Sequence, residues 1–221
     1  MLPAQPNQSL IDGIVCLQAL ASRGTPVGVR ELSRELGLEA TRVHRLLGTL
    51  AHLGLIEKTA DRKYQPGPGM HVLSAQALKG SRLLQVAWPH LRDLAHLRCT
   101  IALGLLWHDA VCYLYHGKPD RPFEEGVFHF DLFAATKSSI GLLLLASAKT
   151  PAPRGMRARY KQIQKEGYCF IERPGEDNSL AVPIGSPPVA GLAFAGKFKT
   201  SEVPKFLEQL RATTSAIEQQ L

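Results

Sequence analysis

The sequence predicts an α+β protein in two parts, and three observations carry that expectation. Apolar residues recur three and four apart between positions 10 and 53. Pro66-Gly67-Pro68-Gly69 then interrupts the chain as strong punctuation. From Thr100 onward, short strand-like runs mix with helical stretches in both orders, which favours a mixed sheet domain over a doubly wound one. The 221 residues therefore divide into a first domain over 1–69, a connecting helix at 70–80 and a larger domain over 81–221.

Ser9 is placed to cap a helix over 9–22, with Leu10, Ile14, Leu17, Leu20 and Ala21 on its apolar stripe and Gly24 ending it. A short helix follows over 29–36, with Val29, Leu32 and Leu36 inward. After Gly37-Leu38 a third runs over 40–53, its apolar face made by Val43, Leu46, Leu47 and Leu50. Residues 55–58 and 63–65 read as two short strands around the turn Ala60-Asp61-Arg62. Helices are expected over 71–78 and 82–97, the second bent at Trp88-Pro89. Strands follow at 100–107 and 110–116, then a helix at 137–148. A basic stretch over 149–166 reads as a solvated loop with a short helix, and a polyanion contact is the alternative. Strands near 168–171, 180–184 and 189–195 and a helix over 201–220 complete the chain.

Composition narrows the function classes. At 45% apolar and 20% charged residues the chain is globular rather than disordered. Its longest clean apolar run, 140–146, falls far short of the roughly 20 residues a membrane span needs. The first residues lack the basic and apolar regions of a secretory signal, so a cytoplasmic protein is expected. Cys16, Cys99, Cys112 and Cys169 stand singly and read as reduced core thiols. The net charge of +7 suggests polyanion partners, but residues 1–70 hold eight Lys/Arg against six Asp/Glu, so bulk charge does not locate a site. A motif must do that.

The motif is the pair of helices joined by Gly37, a helix-turn-helix arrangement. The first helix of such a pair braces the second across the nucleic-acid backbone, so that the N-terminal half of the second enters the major groove. With Val43, Leu46, Leu47 and Leu50 inward, Thr41, Arg42, His44 and Arg45 project near that N-terminus. Arginine can read the guanine edge with two bonds, while Thr and His serve phosphates or base edges. Arg42 is expected on the outer face, whereas Arg45 lies near enough the apolar stripe to make an intradomain ion pair. The following hairpin carries Arg62 and Lys63 at its tip, where a wing would lie on the backbone. The competing reading of the whole segment is a small amphipathic bundle whose charged face meets only water.

These residues resemble the IclR family of bacterial transcriptional regulators, over nearly the whole chain. The match is carried by Leu32-Ser33-Arg34-Glu35-Leu36-Gly37-Leu38 and by Val43-His44-Arg45-Leu46-Leu47, with Thr49-Leu50 and Leu53-Gly54 trailing. Tyr64 and Gly67, Trp88 through Ala95, Gly141 with Leu144-Leu145-Ala146, Gly167-Tyr168, Ala181-Val182-Pro183-Ile184 and Ala190-Gly191-Leu192 follow in the family's order. The resemblance implies an N-terminal winged helix-turn-helix, a linker helix and a C-terminal GAF-like α/β effector domain. It also implies a homodimer or homotetramer on double-stranded operator DNA, controlling a catabolic operon in response to a small organic or aromatic acid. No cofactor is expected.

Within the implied effector domain, Thr136, Ser138 and Ser139 lie at a helix N-terminus suited to a carboxylate, with ordinary N-capping by Thr136 or Ser138 as the competing reading, and Ser179 stands where relatives carry a Cys or small residue. Leu103, Leu105, Phe133, Leu180 and Phe194 are candidate walls, although residues of this kind are more often plain core than ligand contacts. The family's Ser-x-Ser-Gly is Ala193-Phe194-Ala195-Gly196 here, so the ligand is expected to be less polar or absent. Without a ligand, the domain would serve only oligomerisation. The segment between Ala146 and Gly167 is also shorter than usual for the family. A small metal-binding enzyme is the remaining alternative. His108, His116 and His129-x-Asp131 lack metal-site spacing, and no G-x-S-x-G, H-E-x-x-H or phosphate-loop motif appears, so neither metal nor catalysis is expected.

Overall fold

A computed structural model describes residues 5–128, 132–148 and 151–221, and the chain forms two compact units, Met1–Ser81 and Arg82–Leu221. His129 and Asp131, from the metal reading, and Lys149, from the basic stretch, lie outside the described residues.

The first unit is built from α1 (Gln8–Arg23), α2 (Val29–Leu36) and α3 (Ala40–His52), then a hairpin of β1 (Ile56–Lys58) and β2 (Tyr64–Pro66), and α4 (Pro68–Gly80). The cap of α1 is Asn7, not Ser9: its side-chain oxygen accepts from the Leu10 amide at 3.1 Å. Gly24 and Gly37 end α1 and α2 in the left-handed conformation, at φ 66° and 64°, as the helix-ending glycines predict. Val27 pairs with Tyr64 through two 2.9 Å backbone bonds, which ties the α1–α2 connection to the hairpin.

Cys16, Leu20, Val27, Leu32, Val43, Leu47, Ile56 and Tyr64 form the core of this unit. The expected α1 stripe is therefore split. Cys16 and Leu20 turn inward, while Leu10 and Ile14 stay 63% and 48% exposed. The Pro-Gly run begins a helix rather than a linker, since Pro68 needs no amide partner at the first helical position. A Cβ on Gly69 would stand 2.6 Å from the Gly54 carbonyl oxygen, so only glycine fits there. α4 is longer than the predicted 71–78 and buries no residue within its unit.

The second unit opens with α5 (Arg82–Asp93), which contains Pro89 and passes into a 3-10 turn at Leu94–His96. Its curled, fully antiparallel sheet has the order β5-β4-β3-β8-β7-β6: Leu132–Ala134, Ala110–Gly117, Thr100–Trp107, Ala190–Gly196, Asn178–Ile184 and Cys169–Ile171. The edge strand β5 is absent from the sequence reading. One face of the sheet packs on α5 and α8 (Val203–Glu218), around Leu91, Leu103, Phe194 and Leu210. The other face packs on α6 (Ser139–Ser147) and α7 (Arg157–Glu166), around Ile140, Leu143, Ile163 and Cys169.

Gly141 lets α6 sit tight, because a Cβ there would meet the Ala135 carbonyl oxygen at 2.2 Å. The fold class is α+β, as predicted. Among the described residues no helix is long and apolar enough to cross a membrane, and no group of three or more His, Cys, Asp or Glu could hold a metal.

Candidate nucleic-acid interface and acid pocket

On α3, Val43 and Leu47 fix which side faces the core, and the 3.6-residue period then decides the rest. Thr41, His44, Arg45 and Gly48 fall on the opposite, solvent-facing side. Arg42 does not. It turns toward α1, where its Nε lies 2.6 Å from Asp12 Oδ2; the Asp12 side chain is 6% exposed and that of Arg42 41%. Gln8 donates to the other Asp12 oxygen at 2.7 Å. The expectation is thus reversed: the intradomain ion pair belongs to Arg42, while Arg45 is the outward arginine. Asp12 was missed because a lone acid inside an apolar helical stripe carries no signal of its partner.

The wing tip is an ordered turn. Thr59 and Lys63 bond through the Thr59 amide at 2.8 Å, and Arg62 holds φ 62°, an uncommon conformation for a residue with a Cβ. Asp61 accepts from the Thr59 hydroxyl at 2.5 Å and lies 3.2 Å from the Lys63 ammonium, which together hold its carboxyl below the usual range. Arg62 and Lys63 are exposed at this tip.

In the second unit, strand parity builds a cavity of about 170 Å³ on the α6 face of the sheet. Side chains directly opposite in an antiparallel ladder share a face. Ala102, Ala193, Ala195 and Ser179 therefore point into it, while Leu103, Phe194 and Leu180 point to the α5/α8 core. Those three are core and not pocket walls; neither Leu105 nor Phe133 lines the cavity. On β4 the ladder slips: Leu103 faces Tyr115 but Gly104 faces Tyr113, leaving Leu114 as an extra residue. That bulge brings both Tyr113 and His116 to the cavity side, although they are an odd number of residues apart.

Ser138 and Ser139 line the same cavity, at the start of α6. The Ser138 hydroxyl caps Gly141 at 3.2 Å and lies 2.9 Å from the Tyr113 hydroxyl. Burial pushes the Tyr113 phenol up, an effect opposed by the Ser138 bond and the Arg173 charge. Thr136 does not line this cavity; it lies on an adjoining open hollow of about 390 Å³.

Arg173 lines both spaces. Its guanidinium donates to the Lys137 carbonyl at 2.7 Å and the Asp177 carbonyl at 3.3 Å, and it reaches Ser179 Oγ at 3.4 Å. Asn178 locks the loop by accepting from the Arg173 amide at 2.8 Å. The missing hydroxyls at Ala193 and Ala195 therefore do not leave an apolar pocket, because the Arg173 guanidinium, Lys137, three serines and the strand residues Thr100, Tyr113 and His116 line the same space. The sequence reading missed Arg173 because it sits in a loop of charged residues that looks merely solvated.

Comparison with known proteins places these features. The family model for the IclR helix-turn-helix domain matches residues 13–60, from α1 through β1. The HTH-type transcriptional regulator KdgR of Dickeya chrysanthemi is 31% identical over 118 residues, a match covering 52% of this chain and 38% of that regulator. The chain thus spans well under half the length of the curated relative it matches. Among solved structures, an IclR family transcriptional regulator from Brucella abortus shares the fold at a TM-score of 0.76 and 20% identity, over 98% of this chain and 94% of that one. An IclR homolog from Microbacterium hydrocarbonoxydans, in complex with 4-hydroxybenzoate, shares it at 0.66 and 24%, over 96% and 98%. The helix-turn-helix match thus falls on the unit that exposes Thr41, His44 and Arg45: residues 13–60 form an IclR-type helix-turn-helix domain, and the chain shares its fold along both units with IclR family regulators.

Proposed function

We propose that this chain is an acid-responsive regulator that binds operator DNA through its first unit and senses its effector through the second. The observation that carries the DNA reading is the open outer face of α3 within the matched helix-turn-helix segment. Arg45 reads or positions bases there, with Thr41 and His44 in support. Arg62 and Lys63 hold phosphate from the wing. Arg42 braces α3 against α1 and reaches DNA with what remains exposed of its side chain. A homodimer or homotetramer places two such units on a palindromic, double-stranded site. The exposed Leu10 and Ile14 of α1 and Val72 and Leu73 of α4 are the surfaces offered for that association. Control of a catabolic operon from the cytoplasm fits this build.

The effector reading rests on the cavity around Ser138, Ser139, Ser179, Ala193, Ala195 and Arg173, with Thr136 at its outer rim. The complex of a fold relative with 4-hydroxybenzoate supports a small acid as ligand. The deciding experiment selects operator fragments with the purified protein, then measures affinity against salt. Wild type should lose affinity steeply as salt rises. Arg62→Ala and Lys63→Ala should each flatten the log–log slope by about one. Arg45→Ala should relax base preference at one position by about 1–3 kcal/mol. Unchanged affinity and slope in all three variants would defeat the proposed interface. Absence of thermal stabilisation by any acid would favour the oligomerisation-only alternative for the second unit.

A further inference from the structure

The cavity and the adjoining hollow share Lys137 and Arg173, and Arg159 lines the outer hollow beside them. Among the described residues, no Asp or Glu lines either space. Among the described residues the ion pairs of the second unit are Arg92–Glu124, Arg121–Glu125 and Lys197–Asp177, so none neutralises these three cations. Arg159 donates to the Phe170 carbonyl and to Gln162, and Arg173 to the Lys137 and Asp177 carbonyls, all neutral acceptors. Three positive groups thus converge on two connected spaces with no acid among their described lining residues. A ligand with one negative group would leave most of that charge unanswered.

We propose that the effector is a compact dianionic acid with a negative group at each end, a reading that rests on the effector pocket proposed above. Its inner carboxylate lies in the smaller cavity against Arg173, with the hydroxyls of Tyr113 and Ser138 in reach. Its outer anionic group lies in the open hollow between Lys137 and Arg159. The inner space, about 170 Å³, has room for five or six waters at about 30 Å³ each, which limits the body joining the two ends to a short one. Arg173 takes over the acid-holding role that hydroxyls at positions 193 and 195 cannot perform. Because a guanidinium offers a fork of donors, a planar carboxylate matches it better than a lone hydroxyl-bearing ligand would.

The test compares pairs of acids of equal length that differ only at one end: succinate with butyrate, glutarate with valerate, adipate with hexanoate, and terephthalate with benzoate. Affinities are read by calorimetry on the full-length protein. At least one diacid should bind about tenfold or more tightly than its monoacid, the gain of one charged hydrogen-bonded contact. Arg159→Gln and Lys137→Gln should each shrink that preference, and Arg159→Lys should retain most of it. Arg173→Gln should weaken diacid and monoacid alike. Lys137 has an exposed side chain, so its variant tests charge without disturbing the fold. Equal binding of diacid and monoacid, or a preference untouched by Arg159→Gln and Lys137→Gln, overturns the dianion proposal while leaving the small-acid reading in place. Binding of no acid at all overturns both.

Discussion

Replacing Arg42 with alanine strands the Asp12 carboxylate, which among the described residues keeps only its bond from Gln8. Removing one partner of a fully buried ion pair costs about 3–5 kcal/mol, because the other charge is left without compensation. Here the acid is buried but the arginine is 41% exposed, so water screens the pair and about 2 kcal/mol is the expected loss. In a domain this size each kcal/mol lowers the melting temperature by roughly 4–8 °C, so the first unit should melt about 8–16 °C earlier. The assay is a double-mutant cycle of Arg42→Ala, Asp12→Ala and both, followed by circular dichroism. The double variant should be less destabilised than the sum of the singles, with a coupling of about 1–2 kcal/mol. An Asp12→Leu, Arg42→Met pair of apolar replacements should come close to wild-type stability. Additive singles with melting temperatures near wild type would refute the role of this pair in seating α3, and would return Arg42 to the list of free DNA contacts.

Alkaline lability follows from two buried thiols. Burial raises both Cys99 and Cys169 to about 11 from an ordinary 9.0, the nearby Arg159 pulling the second partly back. The unfolded thiols ionise first, so stability present below pH 9 erodes between pH 9 and 11, by about 2–3 kcal/mol per thiol. Denaturant midpoints measured across that range should flatten in Cys99→Ala and Cys169→Ala; an unaltered slope would count against the burial argument. Gly141→Ala should lose at least 1–3 kcal/mol in the second unit, since its methyl meets backbone. Wild-type stability there would mean that α6 can lift freely from Ala135. Ile14→Glu should reduce self-association in sedimentation experiments without lowering the stability of the monomer, because Ile14 is 48% exposed; an unchanged mass would remove α1 from the assembly surface.

The first unit was legible because its elements rest on local signals. Gly24, Gly37 and the 43–47 spacing each mark a helix end or face within a few residues, and α2 falls where its pattern predicts. What escaped was pairwise: nothing near Asp12 in the sequence points to Arg42, thirty positions on. In the second unit, sheet parity places Ala193, Ala195 and Ser179 on one cavity, which Ser138 and Ser139 at the start of α6 also line. Leu103, Leu180 and Phe194 take the core side of the two readings the sequence left open, because apolar character alone does not say which of two buried faces a strand residue takes. Arg173 and His116 were invisible for a related reason. Their place depends on a loop anchored by Asn178 and on an irregular ladder, neither of which leaves a periodic trace.

The irregularity in β4 also sets where this domain tolerates a shortened chain. Tyr115 pairs with Leu103 and Tyr113 with Gly104, so deleting Leu114 would join two residues already in consecutive register. The strand would become a regular ladder with Tyr115 still in the core and Tyr113 and His116 still toward the cavity. Only the packing of Leu114 itself would be lost. Deletion of Cys112 or Tyr113 would instead displace residues that the pocket or the edge strand uses. An alignment gap of one residue at this position is therefore compatible with an intact cavity face, and a relative lacking it should be compared by ladder partner rather than by distance along the chain.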